Sequence, residues 1–272
     1  MSPAKWTEPV VRGATTDWQS QFCDRCSLMS SSAIREILKF TQQPDMISFA
    51  GGLPAPELFP VKEVEEACVH VLRTAGQQAL QYTITEGFAP LRQELAASMH
   101  LYGVEAEPQN IFLTNGSQQA LDLLGRVFID PGDVIITDSP TYLGALQAFK
   151  AYAPRIVALP LDEDGVQVDH LEEVLAKEKV RFIYVLPNFH NPAGVTLSLE
   201  RRIKLVQIAS RYGVPILEDD PYGVLRFEGE DLPAIMTLHK ENTIYTSTFS
   251  KILAPGLRLG WVVGPEILIS KL

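Results

Sequence analysis

Basic residues are the scarcer charge in this chain. The sequence carries 23 lysines and arginines against 33 aspartates and glutamates, a formal net charge of −10, and no basic run interrupts it. A nucleic-acid partner or an anionic membrane surface is therefore not expected. Long apolar runs are missing as well: no stretch approaches the ~20 apolar residues of a membrane span, and the start, MSPAKWTEPV, has no apolar signal-peptide centre. No membrane partner is expected, and the cytoplasm is the default compartment. Cysteine is rare, with Cys23, Cys26 and Cys68 too few to staple a chain of 272 residues. Cys23 and Cys26 form a C-x-x-C without a second ligand pair or a βαβ context, and by spacing alone the pair reads as chance. The five histidines show no ligand spacing, so no metal site is expected.

What is present is an ordinary globular composition, 46% hydrophobic and 21% charged, with enough material for a substantial core. Residues 1–45 read as an arm plus one helix, AIREILKF, preceded by Ser30, Ser31 and Ser32, which offer N-cap oxygens. The Gly- and Pro-rich ISFAGGLPAPELFP follows, then helices from about Val61 to Ala75 and from about Phe88 to Tyr102. From there short β-branched runs recur: IFLT, VIIT, RIVALP, RFIYVL, PILED, TIYTST and GWVVG, with amphipathic segments such as QQALDLLGRVFI and LERRIKLVQIASRY between several of them. Strands alternating with helices predict an α/β fold with a mostly parallel, seven-stranded sheet and helices on both faces. Ligands in such sheets sit beyond the carboxyl ends of the strands.

Polar residues collect there. IFLT is followed by Asn115-Gly116-Ser117-Gln118, a helix start suited to a phosphate, although a plain Ser117 N-cap would look the same. VIIT leads to Tyr142, RFIYVL to Asn191 in a Pro/Gly turn, PILED to Asp219, Asp220 and Tyr222, and TIYTST to Lys251 and Arg258. Taken singly, each of these is better explained as packing, a cap or a turn. Lys251 is the exception in kind, because lysine normally stands on a solvated face and desolvation prepares its amine for Schiff-base chemistry. Together, an amine nucleophile, a carboxylate, an Asn and a Tyr, a flat ring and a phosphate cradle are the parts of a pyridoxal phosphate site.

The motifs ISFAGGLPAPELFP, LQYTITEGFAPLRQEL, TNGSQQALDLLGRVF, DSPTYLGALQAF, PNFHNPAG, EDDPYG and STFSKILAPGLRLGW run in order over nearly the whole chain. In them the sequence resembles the fold-type I pyridoxal-phosphate aminotransferases of class I/II, the branch with 2-aminoadipate and kynurenine aminotransferases. The resemblance implies that Lys251 forms the Schiff base with the cofactor and shuttles the substrate proton. Asp219, three residues before Tyr222, would pair with the pyridine nitrogen, with Asp220 its neighbouring competitor. Asn191 and Tyr222 would hydrogen-bond the phenolic oxygen, and Tyr142 would stack on the ring. Gly116, Ser117, Gln118, Thr248, Ser250 and Arg258 would cradle the phosphate, with Tyr82 reaching the phosphate of a neighbouring subunit in a homodimer with shared active sites. Gly51 and Gly52 would let backbone approach the substrate carboxylate, Asn191 would also contact substrate, and Arg35 would read a distal carboxylate or, equally well, form a surface ion pair.

The implied reaction is transamination between an amino acid (2-aminoadipate, kynurenine, aromatic or branched-chain) and 2-oxoglutarate. The same resemblance divides the chain into an arm at 1–45 and a cofactor-binding large domain at 46–272. It leads one to expect a C-terminal small domain that this sequence does not contain, hence weak cofactor binding and poor turnover by residues 1–272 alone. A fold-type I lyase or decarboxylase and a catalytically impaired partner chain are the alternatives. A transcriptional regulator is disfavoured, since too few residues precede Ile34 for a winged helix.

Overall fold

The structure is a computed structural model that describes residues 15–28, 47, 52–101 and 103–272. The helix expected at AIREILKF lies outside them. Among the described residues the α-helices begin with α1 (Val61–Ala79) and α2 (Ala89–Leu101). α1 runs past the expected end at Ala75, where the backbone leaves helical geometry (φ −139°, ψ 25°) and then resumes.

The strands are β1 (Ile111–Thr114), β2 (Val134–Ser139), β3 (Arg155–Asp162), β4 (Gly165–Val166), β5 (Val180–Val185), β6 (Ile216–Asp219), β7 (Thr243–Thr248) and β8 (Gly260–Val263). They form one sheet in the order β1-β8-β7-β6-β5-β2-β3-β4. Among the described residues the expected count of seven is corrected to eight: β4 is a two-residue antiparallel return onto β3, too short to show any periodicity. The β3–β2–β5–β6–β7 pairs are parallel, and β8 runs antiparallel between β7 and β1.

Between the strands run α3 (Ser117–Phe128), α4 (Leu143–Lys150), α5 (Leu171–Leu175) and α6 (Leu199–Tyr212). Alternation along the strands divides the core in two, because successive side chains point to opposite faces. Ile136, Ile183, Val185 and Ile216 pack with Leu205, Ile208 and Ala209 of α6 on one face. Ile135, Phe182, Tyr184, Leu217, Ile244 and Val262 pack with Leu121 and Leu124 of α3 and Phe149 of α4 on the other. A third cluster seats Leu95 and Met99 of α2 against Ile111, Trp261 and Val263. Burial on both faces is why these strands read as nearly unbroken apolar runs.

The strand order reverses at β2, whose neighbours are β3 and β5. Thr114, Gly260 and Thr248 lie side by side in register, so the carboxyl ends of β1 and β7 share one sheet edge with those of β2, β5 and β6. A ligand crevice belongs at this edge.

Candidate active site

A cavity of about 190 Å³ opens at that edge, and its lining includes Ser117, Tyr142, Asp219, Tyr222, Lys251 and Arg258. Gln118, Thr248 and Ser250 also border it. Side chains from the ends of several different strands therefore meet in one place.

Asp219 ends β6 and is 2% exposed. Its Oδ2 accepts a 2.8 Å hydrogen bond from the Tyr184 hydroxyl, while its Oδ1 is buried without a hydrogen-bond partner. Burial pushes its carboxyl up to about 7, against the opposing pull of the Tyr184 bond. Asp220 is turned elsewhere: its Oδ1 accepts the Gly223 N–H at 2.9 Å, and its carboxylate also bonds the Asn188 side chain. A lone buried carboxylate oxygen is costly unless a donor meets it. Asp219 thus presents an acceptor awaiting an N–H, and Asp220 does not.

Lys251 follows β7 and donates from Nζ to the Gly52 carbonyl at 2.9 Å. Burial lowers its pKa, the condition for a nucleophilic amine. Arg258 sits in left-handed backbone (φ 50°), with Nη1 3.3 Å from the Pro255 carbonyl and Nη2 3.4 Å from that of Asn115. It has no carboxylate partner among the described residues, so its charge is left for an anion. Opposite it α3 begins at Ser117; the Gln119 N–H donates to the Gly116 carbonyl at 3.2 Å, and the Ser117 and Gln118 amides before it have no partner within the helix. Gly116 (φ +77°) is needed there, because a Cβ would stand 2.7 Å from Arg258 Nη2. Thr248 Oγ1 donates to the Leu259 carbonyl at 3.0 Å and receives the Ser250 N–H at 3.1 Å, which fixes the turn before Lys251. Gln118 is partly committed, since its Nε2 donates to the Gly144 carbonyl at 2.8 Å.

Tyr142 stands before α4, its ring so close to Gly144 that a Cβ there would meet it at 2.5 Å. Burial, with Asp219 and Tyr222 nearby, raises its hydroxyl to about 12, so it stays neutral. Asn191 Nδ2 donates to the Tyr222 hydroxyl at 3.4 Å. Behind Asn191, His190 is buried with Nδ1 accepting the Ala193 N–H at 3.2 Å and Nε2 3.1 Å from Asp138 Oδ2, which anchors the turn to the end of β2. Tyr82 is 98% exposed and stands outside the cavity. Arg35 and Gly51 lie outside the described residues. Tyr184, Asp138 and His190 escape a reading of the sequence, because two of them sit inside strand runs and their partners are distant in the chain. Among the described residues no group of His, Cys, Asp and Glu is arranged to hold a metal, and no helix is long and apolar enough to cross a membrane.

The comparisons with known proteins agree with this geometry. The chain is 49% identical to aromatic-amino-acid aminotransferase 1 of Thermococcus litoralis, over 100% of this chain and 67% of the relative. Among solved structures, the α-aminoadipate aminotransferase of Thermus thermophilus, complexed with N-(5'-phosphopyridoxyl)-L-leucine, superposes with a TM-score of 0.86 at 42% identity, covering 94% of this chain and 64% of that one. The kynurenine aminotransferase of Pyrococcus horikoshii, in complex with PMP, gives a TM-score of 0.87 at 44% identity over 94% and 65%. The chain thus spans about two thirds of the length of these relatives. The family model "Aminotransferase class I and II" matches residues 44–272. The chain belongs to the class I and II aminotransferase family.

Proposed function

We propose that this chain binds pyridoxal 5'-phosphate and serves transamination between an amino acid and a 2-oxo acid. The observation that carries the reading is the unpaired, buried Oδ1 of Asp219 at the cavity that also holds Lys251 and the unpaired charge of Arg258. A pyridine N–H, an aldehyde and a phosphate fit these three groups in turn. When bound, the cofactor supplies an aldehyde that takes up amino groups and a ring that stores the electron pair released at the substrate Cα.

The remaining work belongs to the chain. Lys251, its pKa lowered by burial, would hold the cofactor through its amine, and the same Nζ, when free, would serve as the base for the substrate Cα proton. Asp219 accepts the ring N–H, and a carboxylate there holds that proton in place. Asn191 and Tyr222 direct hydrogen-bond donors to the phenolic oxygen, and Tyr142 offers its flat face. Arg258, Gly116, Ser117, Gln118, Thr248 and Ser250 bind the phosphate. Gly51 and Gly52 receive the substrate carboxylate, with Arg35 available to a distal one.

The amino donors we assign are 2-aminoadipate, kynurenine and aromatic or branched-chain amino acids, with 2-oxoglutarate as acceptor; the names of the relatives support the aromatic, 2-aminoadipate and kynurenine donors. Residues 46–272 make up the cofactor-binding domain, working in the cytoplasm. The protein acts as a homodimer in which Tyr82 reaches the phosphate held by the neighbouring copy. The exposure of Tyr82, and of α1 with none of its residues buried, supports this.

The test is chemical. Purified chain mixed with pyridoxal phosphate is reduced with borohydride and mapped by mass spectrometry. The cofactor is expected on Lys251, and Lys251→Ala is expected to lose it together with the visible absorbance band. Adding each amino donor to the unreduced form should bleach that band and release the matching 2-oxo acid. Attachment to another lysine, or none, rejects the reading.

A further inference from the structure

We propose that Cys23 and Cys26 are a reversible dithiol–disulfide pair that exchanges with small-molecule disulfides of the glutathione class. The two residues flank the start of a 3₁₀ turn at Asp24–Leu28, away from the cavity. The Cys26 N–H donates to the Cys23 carbonyl at 2.9 Å, which closes the turn and brings the thiol sulfurs to 3.7 Å. Spacing alone gives a C-x-x-C no meaning, but here the backbone already holds both thiols on one side of a turn. Cys23 is exposed and Cys26 is partly so, which leaves them open to a small reagent.

Bond formation needs the sulfurs to approach to about 2 Å, a movement that side-chain rotation in an exposed turn supplies. The surroundings separate the roles. The contact between the two sulfurs lowers the Cys23 thiol and raises the Cys26 thiol, Arg25 beside them favours the Cys23 thiolate, and Cys23 is the more exposed of the two. Cys23 is therefore the attacking thiol and Cys26 the resolving one.

The exchange balances in two steps. The Cys23 thiolate attacks one sulfur of the small disulfide, whose S–S bond breaks and releases one thiolate. Cys26, its proton lost to solvent, then attacks the Cys23 sulfur of the mixed disulfide and displaces the second thiolate. Two protein thiols are oxidised, and one external disulfide is reduced to two thiols. In a reducing compartment such a pair responds to redox poise and is not a permanent staple.

Arg25 lies between the cysteines, so trypsin places them on separate peptides and a disulfide appears as a cross-link that reductant dissolves. The full chain is incubated with oxidised glutathione, quenched in acid, alkylated and mapped. The expected product is a Cys23–Cys26 cross-link, while Cys68, exposed and alone on α1, ends as a glutathione adduct or stays free. Cys26→Ser is expected to trap the adduct on Cys23, several-fold faster than Cys23→Ser traps it on Cys26. Wild-type chain that accumulates adducts on both residues, or shows no cross-link at any glutathione ratio, overturns the proposal. Equal trapping rates in the two variants overturn the assigned order of attack.

Discussion

Asp219 has one oxygen satisfied by Tyr184 and the other unmet, and its neighbour Glu218 is fully buried with both oxygens on the Ile235 and Met236 amides. Burial raises both carboxyls to about 7. Their ordinary values are about 4, so between these limits the folded chain keeps protons that the unfolded chain releases. Stability of the cofactor-free chain should then fall as pH rises from about 4 to about 7 and level off above. Denaturant titrations at pH 5, 6 and 7.5 read this directly. Asp219→Asn should make the slope shallower, and a slope of opposite sign would sink the idea. Gly116→Ala is expected to cost about 1–2 kcal/mol and to weaken cofactor binding about tenfold or more, because the new Cβ both strains φ +77° and displaces Arg258; fluorescence titration with pyridoxal phosphate checks it. Lys251 stands out in the sequence as a lysine in an apolar, hydroxyl-rich segment after a strand, with Arg258 following it, whereas Asp219 is legible over Asp220 only through the spacing to Tyr222 that the family resemblance supplies. Tyr184, Glu218 and His190 were not, because an aromatic or an acid inside or beside a strand run reveals nothing until its partner across the fold is known.

The same contrast holds for the elements. Short β-branched runs announce themselves as strands, and TIYTST became β7 residue for residue. LERRIKLVQIASRY became α6 with equal fidelity, ended by Gly213 in left-handed geometry (φ 66°). Gly213→Ala meets no atom within 4 Å, so its cost is backbone strain alone, about 1 kcal/mol, measurable by denaturant unfolding. Arg202 is what the pattern of α6 conceals. It looks like a solvated charge but is fully buried, donating to the carbonyls of Leu197, Pro187 and Pro233 and to Asn188 Oδ1. It thereby sews α6 to the loop that leads to Asn191. Arg202→Leu leaves these acceptors unmet and should cost about 3–5 kcal/mol, with the Asn191 turn loosening first in hydrogen exchange.

At the scale of the molecule, α1 is amphipathic yet buries nothing: Leu58 and Val61 at its start, Leu72 within it and Leu80 after its end stand more than half exposed, and so does Tyr82. Apolar surface of this extent calls for cover. Sedimentation is expected to give twice the chain mass, with Leu72→Asp shifting it toward one copy; a wild-type monomer at all concentrations rejects the homodimer. The sheet order was beyond reach of the sequence, since which strand lies beside which is decided by long-range packing.

That order also fixes when the site can exist. Among the described residues β1 pairs with β8 alone, and Gly116 packs against Arg258. On the ribosome, β1 emerges first and must wait for residues 260–263, an interval of roughly ten to thirty seconds of synthesis. The cradle proposed for the phosphate is therefore complete only when the sheet is, which makes its assembly a late event in synthesis.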